Sequence, residues 1–225
     1  RGFHGGPLTG NRSQMLWYPM LRTLYFILRS IRPQQWTKNL LIFAPLLFSK
    51  QLFVYTETLH TIVACIIFCL MSGSVYLLND LIDLENDKRH PLKCKRPLAS
   101  GALSRRAAMI ACAVLLCICT LAASSLLNTA FLITAGAYLA LQILYSTFLK
   151  HVVIIDVFCI AAGFVLRVVA GAEAIGVNFS TWLLFCTLLL ALFLALSKRR
   201  HELMLLEGDA VHHRRILYEY SAELL

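Results

Sequence analysis

Tyr76-Leu77-Leu78-Asn79-Asp80-Leu81-Ile82-Asp83-Leu84-Glu85-Asn86-Asp87-Lys88-Arg89-His90-Pro91 closes an apolar run that begins near His60, and bases follow at Lys93, Lys95 and Arg96. Read as a helix, the stretch turns about 100° per residue. With Asn79 as origin, Asp83 falls at about 40°, Tyr76 at about 60°, Asp87 at about 80° and Asp80 at about 100°. These five share an arc of about 100°, whereas Glu85 points away at about 240°. Carboxylates gathered on one face repel unless a cation sits among them. Carboxylate and amide oxygens are the ligands Mg2+ takes, and it usually shares them with substrate phosphates. The plain alternative is a solvated helix end with scattered charges. Acids that end a membrane helix seldom fall on one face by accident.

Working outward, composition sets the class. Of 225 residues, 59% are hydrophobic, and the mean hydropathy is +0.70. That is too apolar for a soluble domain of this size. Only 15% of the residues are charged, and they are clumped. The expectation is an all-α, multi-pass transmembrane helical bundle. It forms one domain, 19–225, behind a flexible lead-in, 1–18. The net charge of +9 carries no basic motif interleaved with aromatics, which excludes nucleic acid as a partner. Cytosolic loops make membrane proteins basic anyway. Of the eight Cys, all but Cys94 lie in apolar runs and no CxxC occurs, so neither a disulfide nor a zinc site is implied. The start lacks a signal-peptide pattern and an initiator Met, and the end at Leu225 is abrupt, so the chain reads as a fragment.

Along the chain, 19–32 reads as an amphipathic helix in the headgroup layer, with Arg22, Arg29 and Arg32 on one stripe. Pro33 interrupts it. The first span is the short run Leu40–Phe48, long enough only if 34–39 join it, with Trp36 as an interfacial anchor. Five more spans follow: His60 to the acidic cluster, 105–124 with Ser104 as cap, 128–147, 152–173 and 180–197. Lys and Arg mark one side. Six precede or enter the first span, seven lie between the second and third, Lys150 follows the fourth, and five follow the sixth. The opposite loops hold only Lys50. The positive-inside rule places the acidic cluster and the bases at the cytosol.

Lys38, Lys93, Arg96, Lys150 and Lys198 all lie on that side, where each alone could be snorkelling to headgroups. Together they suit an anionic substrate. Arg167 lies deep in the fifth span, where an Arg is costly and faces an anion or a polar cavity. Asp156 shares its face but sits about 16 Å away along the helix, too far to pair. A ligand phosphate or a carboxylate on another helix remains for Arg167. Tyr145 ends the fourth span as an interfacial aromatic or a ligand.

These residues resemble the UbiA superfamily of intramembrane prenyltransferases. Its first acidic motif, NDxxDxxxD, stands here as Asn79-Asp80, Asp83 and Asp87. The closer resemblance is to its decaprenyl-phosphate phosphoribosyltransferase branch. It is carried by Arg32 through Asn39, Lys93 through Gly101, Tyr145-Ser146 with Leu149-Lys150, Asp156 through Arg167, and Ser197-Lys198-Arg199-Arg200. The resemblance implies about nine helices, with roughly three beyond Leu225. It implies transfer of a phosphoribosyl group from phosphoribosyl pyrophosphate to a polyprenyl phosphate in a bacterial inner membrane, and leaves a homo-oligomer open. Asn79 and Asp83 would hold Mg2+, with Asp80 and Asp87 in support. Lys38, Tyr76 and Lys93 would hold the donor, Lys150 and Arg167 both phosphate groups, and Lys198 the lipid phosphate. One departure matters. Aromatic prenyltransferases of the superfamily carry a second aspartate motif after the sixth helix, where this chain has Lys198, Arg199 and Arg200, with only Glu202 acidic. That favours a phosphate bound directly by bases. The alternatives are an aromatic prenyltransferase of the same fold and a non-catalytic transporter or lipid-binding scaffold. A CDP-alcohol phosphotransferase is disfavoured because its paired DG pattern is absent.

Overall fold

The computed structural model describes residues 12–152, 154–178 and 180–205. The described residues form an all-helical bundle without strands. Its elements are α1 (Arg12–Ser30), a 3-10 segment (Pro33–Phe43), α2 (Ala44–Phe48), α3 (Tyr55–Ile82), α4 (Leu84–Arg89), α5 (Arg105–Leu126), α6 (Thr129–Thr147), α7 (Ile155–Ala174) and α8 (Thr181–Leu205). Among the described residues, five helices are long and apolar enough to cross a membrane: α3, α5, α6, α7 and α8.

The first of the six expected spans, Leu40–Phe48, is not among them. Pro33 and Pro45 each lack a backbone N–H, so neither can donate to a helical ladder. Between them the chain winds as a 3-10 segment of 11 residues before the five-residue α2. At about 2.0 Å per residue and then about 1.5 Å, the two reach about 30 Å, close to a hydrocarbon core. The segment runs antiparallel to α3. Arg32 pairs with Asp80 near the α3 C-terminus, Asn39 donates to Cys69 Sγ and Ser72 Oγ, and Ile42 joins Ala64 and Phe68 in the core. Its close fit to α7 depends on Gly171, where a β-carbon would overlap the Ile42 carbonyl oxygen and lie 2.9 Å from the Ile42 carbonyl carbon.

α3 and α7 are the most buried spans, and α5, α6 and α8 lie around them. The main core sets Phe68 edge-on to Phe131 and tilted against Tyr138, with Met71, Ala135 and Ala170 around them. A second cluster joins Ile31 and Leu77 to Leu98 and Leu103, so the loop after the acids folds back onto the bundle. Trp36 packs against this cluster.

Helix ends follow local capping. Ser104 accepts from Ala107 N–H at 3.2 Å, as expected, and Asn128 caps α6 from Phe131 N–H at 2.8 Å. Two local readings need correction. α1 begins at Arg12, inside the stretch taken as a flexible lead-in; residues 1–11 lie outside the described residues. Arg32 also leaves the stripe of Arg22 and Arg29. The helix ends at Ser30, and Arg32 turns left-handed at φ 53°. Its guanidinium points into the bundle and lies 4.9 Å from the centre of the Tyr76 ring.

Candidate functional site

The acidic stretch is not one unbroken helix. α3 ends at Ile82, Asp83 is the joint, and α4 follows. The hydrogen-bond ladder nevertheless carries through. Asp83 N–H donates to Asn79 O at 2.9 Å and Asp87 N–H to Asp83 O at 2.8 Å, so the four-residue spacing of the polar face survives. Glu85 points away, its side chain 73% exposed and 2.9 Å from Lys88. That hydrogen bond holds the Glu85 carboxyl below the usual carboxylate range.

The three aspartates of the face have different partners. Asp80 is buried and accepts from Arg32 at 2.6 Å and Arg96 at 3.2 Å. Asp87, also buried, accepts from Arg96 at 2.5 Å. Arg96 thus bridges two acids whose repulsion the sequence left unanswered, and Arg32 adds a second positive charge. Asp83 is half-buried and meets Lys150 Nζ at 2.7 and 2.9 Å through its two oxygens. Lys150 reaches it from the 3-10 turn Leu149–His151 after α6. Asn79 is half-buried, one turn before Asp83.

Among the described residues, no three His, Cys, Asp or Glu side chains converge as a metal cage. The donor set nonetheless suits Mg2+, which is normally held by one or two protein oxygens completed by water and substrate phosphate. Asn79 and Asp83 can supply those oxygens. Asp80 and Asp87, engaged by arginines, support the helix end.

A second group of cations lies beside this acidic end. Lys38 is near enough to Lys198, Arg167 and Arg32 for their charges to repel its own. Arg167 is buried, and its protein partners do not include the carboxylate on another helix that was one of the two expectations. Nε donates to Asn39 Oδ1 at 2.9 Å, one terminal nitrogen to Gly163 O at 2.7 Å and the other to Tyr138 Oη at 2.8 Å. The Tyr138 and Phe164 rings lie against the guanidinium at 4.9 and 5.2 Å. Neutral oxygens and aromatic faces therefore hold this cation, with no carboxylate paired to it among the described residues. Tyr76 lies half-buried beside Arg32, and Lys93 stands on the 3-10 turn Lys93–Lys95 packed on α4.

The basic stretch ending the sixth span divides. Lys198 and Arg200 are exposed, while Arg199 turns inward to Asp156, with Nε at 3.0 Å and a terminal nitrogen at 2.7 Å from Oδ2. Arg199 is thus committed to an ion pair and is not part of an open phosphate-binding cluster. The side chain of Glu202, and Arg214 and Arg215, lie outside the described residues. Sequence reasoning missed the Arg32–Asp80 pair, the Asn39 and Tyr138 contacts of Arg167, and the Asp156–Arg199 pair. A signal existed for the last: Asp156 cannot reach Arg167 and so required another cation.

The UbiA prenyltransferase family model matches residues 40–217. The chain is 34% identical over 203 residues to the decaprenyl-phosphate phosphoribosyltransferase of Mycolicibacterium smegmatis, covering 88% of this chain and 64% of that protein. It is also 34% identical over 203 residues to the Corynebacterium glutamicum protein of the same name, covering 88% and 61%. The chain thus spans between three fifths and two thirds of the length of these curated relatives. Its fold is similar to that of a UbiA homologue from Archaeoglobus fulgidus solved with DMAPP and Mg2+, with a TM-score of 0.68, 20% identity, and coverage of 85% of this chain and 69% of that one.

Proposed function

The chain belongs to the UbiA prenyltransferase family, an integral membrane protein, and on that premise we propose that it carries the site of a polyprenyl-phosphate phosphoribosyltransferase. In this reading the bond from C1 of phosphoribosyl pyrophosphate to the diphosphate breaks, and an oxygen of a polyprenyl monophosphate bonds to C1. Pyrophosphate leaves. The names of the two bacterial relatives support this choice of substrates. The supporting observation within the molecule is the division of charge. The metal-type oxygens are confined to Asn79 and Asp83, and the neighbouring pole is built from bases, Lys38 and Lys198, with Arg167 behind them. A diphosphate with Mg2+ suits the first pole. A monophosphate held without a metal suits the second.

Asn79 and Asp83 would hold Mg2+, which neutralises the donor diphosphate when bound. A UbiA homologue solved with Mg2+ supports that cofactor. Lys150, already against Asp83, is placed to stabilise negative charge on the leaving diphosphate. Tyr76, Lys38 and Lys93 would position the donor. Lys198 would hold the lipid phosphate. Arg167 contributes positive potential from below through Asn39 and Tyr138. The acceptor phosphate, with a second pKa of about 6, is largely dianionic at neutral pH and attacks without a general base. The bias of Lys and Arg supports a cytosolic position for this face, and the bacterial relatives support an inner membrane. The testing assay offers purified protein two donors with Mg2+, phosphoribosyl pyrophosphate and a prenyl diphosphate. Pyrophosphate release from the first, dependent on polyprenyl phosphate, is the expected result. Turnover of only the second, with an aromatic acceptor, would make the chain an aromatic prenyltransferase.

A further inference from the structure

α8 packs against α7 along a limited strip. Among its described side chains, Thr187, Ala191, Ala195 and Arg199 are buried, spaced four apart, with Leu192 and Leu196 partly buried beside them, while most of its surface faces outward. Four-residue spacing is one stripe of a helix. Three of the four are small side chains. Such a seam allows close approach to α7, where Ala195 meets Val157, but it does little to fix the helix against rotation about its axis. The fourth member closes the seam with a charge. Arg199, 4% exposed, places two nitrogens on one oxygen of Asp156, which is 0% exposed. Asp156 stands in the first turn of α7, where the helix dipole favours a carboxylate.

We infer that the Asp156–Arg199 pair is a positioning device for the acceptor phosphate, setting the rotation of α8 so that Lys198 faces the Lys38 side of the site. Lys198 precedes Arg199 by one residue, about 100° around the helix. Its direction follows from where Arg199 is anchored. A rotation of about 20° moves a side-chain tip lying about 6 Å from the axis by about 2 Å. Displacements of about 1 Å at a reacting group already cost about a hundredfold. Neither Asp156 nor Arg199 touches substrate in this scheme. They act through Lys198, and the inference rests on the proposed reading of that lysine.

The test replaces both partners, Asp156→Leu with Arg199→Met, so that no buried charge is stranded and α8 stays packed. Arg199→Lys, which keeps the charge and loses the fork, is the milder companion. Two readouts are taken on folded protein in nanodiscs. The first is KM for polyprenyl phosphate and for phosphoribosyl pyrophosphate. The second needs no activity: the yield of the Lys38–Lys198 link formed by a short amine-reactive cross-linker, read by mass spectrometry. The expected result is a roughly ten- to hundredfold rise in acceptor KM, an unchanged donor KM, and a lower cross-link yield, with Arg199→Lys intermediate. A lower cross-link yield in a protein that transfers no phosphoribosyl group in its wild-type form would remove the proposed reaction and keep the positioning role. Unchanged cross-link yield and acceptor KM in the folded double variant would overturn the inference.

Discussion

Lys150 competes with any metal for the Asp83 carboxylate, and this gives a test with a definite sign. In the structure Lys150 Nζ spans both Asp83 oxygens at 2.7 and 2.9 Å, with the two side chains 17% and 24% exposed. A divalent ion bound at Asp83 without substrate must displace or repel that ammonium. Lys150→Met keeps the length of the side chain and removes the charge. A hydrogen bond to a charged group is worth about 1.5–3 kcal/mol. At about 1.4 kcal/mol per decade, donor-free Mn2+ should bind the variant roughly ten- to over a hundredfold tighter than wild type. Turnover should move the opposite way, because the leaving diphosphate loses its lysine. The assay is a Mn2+ titration followed by electron paramagnetic resonance, with no donor present. Lys88→Met serves as control, since its partner Glu85 is exposed and points away from the face. Equal Mn2+ affinity in wild type and Lys150→Met, or weaker binding in the variant, would refute the assignment of Asp83 as metal ligand.

Four further outcomes follow from the same geometry. Asp83→Ala should abolish turnover and metal-dependent donor binding while Glu85→Ala changes little; similar losses in both would mean the face has no special role. Lys198→Ala should raise acceptor KM about ten- to a hundredfold with donor KM nearly constant, against an Arg105→Ala control at the exposed start of α5; equal behaviour of the two would reduce Lys198 to a topological flank. Gly171→Ala should lower the melting temperature by overpacking worth about 1–3 kcal/mol, whereas Gly136→Ala, with open space at its β-carbon, should be neutral or slightly stabilising; thermal unfolding of both variants decides it. A cysteine at Ser100 should react with an impermeant maleimide only from the cytosolic side, and labelling of intact cells would invert the topology.

Most of the fold was legible because its determinants are local. Hydropathy and length mark α3, α5, α6, α7 and α8, and Ser104 announces the start of α5. The Pro33–Phe43 segment was harder to read. It is held by partners distant in sequence, such as Asn39 against Cys69 and Ser72, and by the absence of a β-carbon at Gly171. Its length is too short for an α-helical span, and the larger rise per residue of a 3-10 helix is not signalled by hydropathy. Arg32 was misplaced for a similar reason. Its helical spacing to Arg22 and Arg29 is real, but its partner Asp80 lies 48 residues away, and the ion pair accompanies a backbone turn that periodicity cannot anticipate.

The candidate site was legible as a set of residue types and illegible as a set of pairs. The spacing of Asn79, Asp80, Asp83 and Asp87 told that acids share a face, but not which of them stays available. That distinction lies in the cations. One terminal nitrogen of Arg96 bridges Asp80 and Asp87, and Arg32 adds a second guanidinium to Asp80. A guanidinium is planar, permanently charged and held by several bonds at once, so those two acids are tied into a buried network. Asp83 has instead a single ammonium on a flexible stem, at the half-exposed edge of the site. An ammonium is a compact charge that can move to a new anion when one arrives. Of the three aspartates, Asp83 is therefore the one whose partner is most readily exchanged, and in the proposed reading the displaced Lys150 lies next to an incoming diphosphate. The same argument separates Arg199, forked and buried on Asp156, from its exposed neighbour Lys198. In both places arginine builds the buried frame, and in the proposed reading the lysine meets a substrate phosphate.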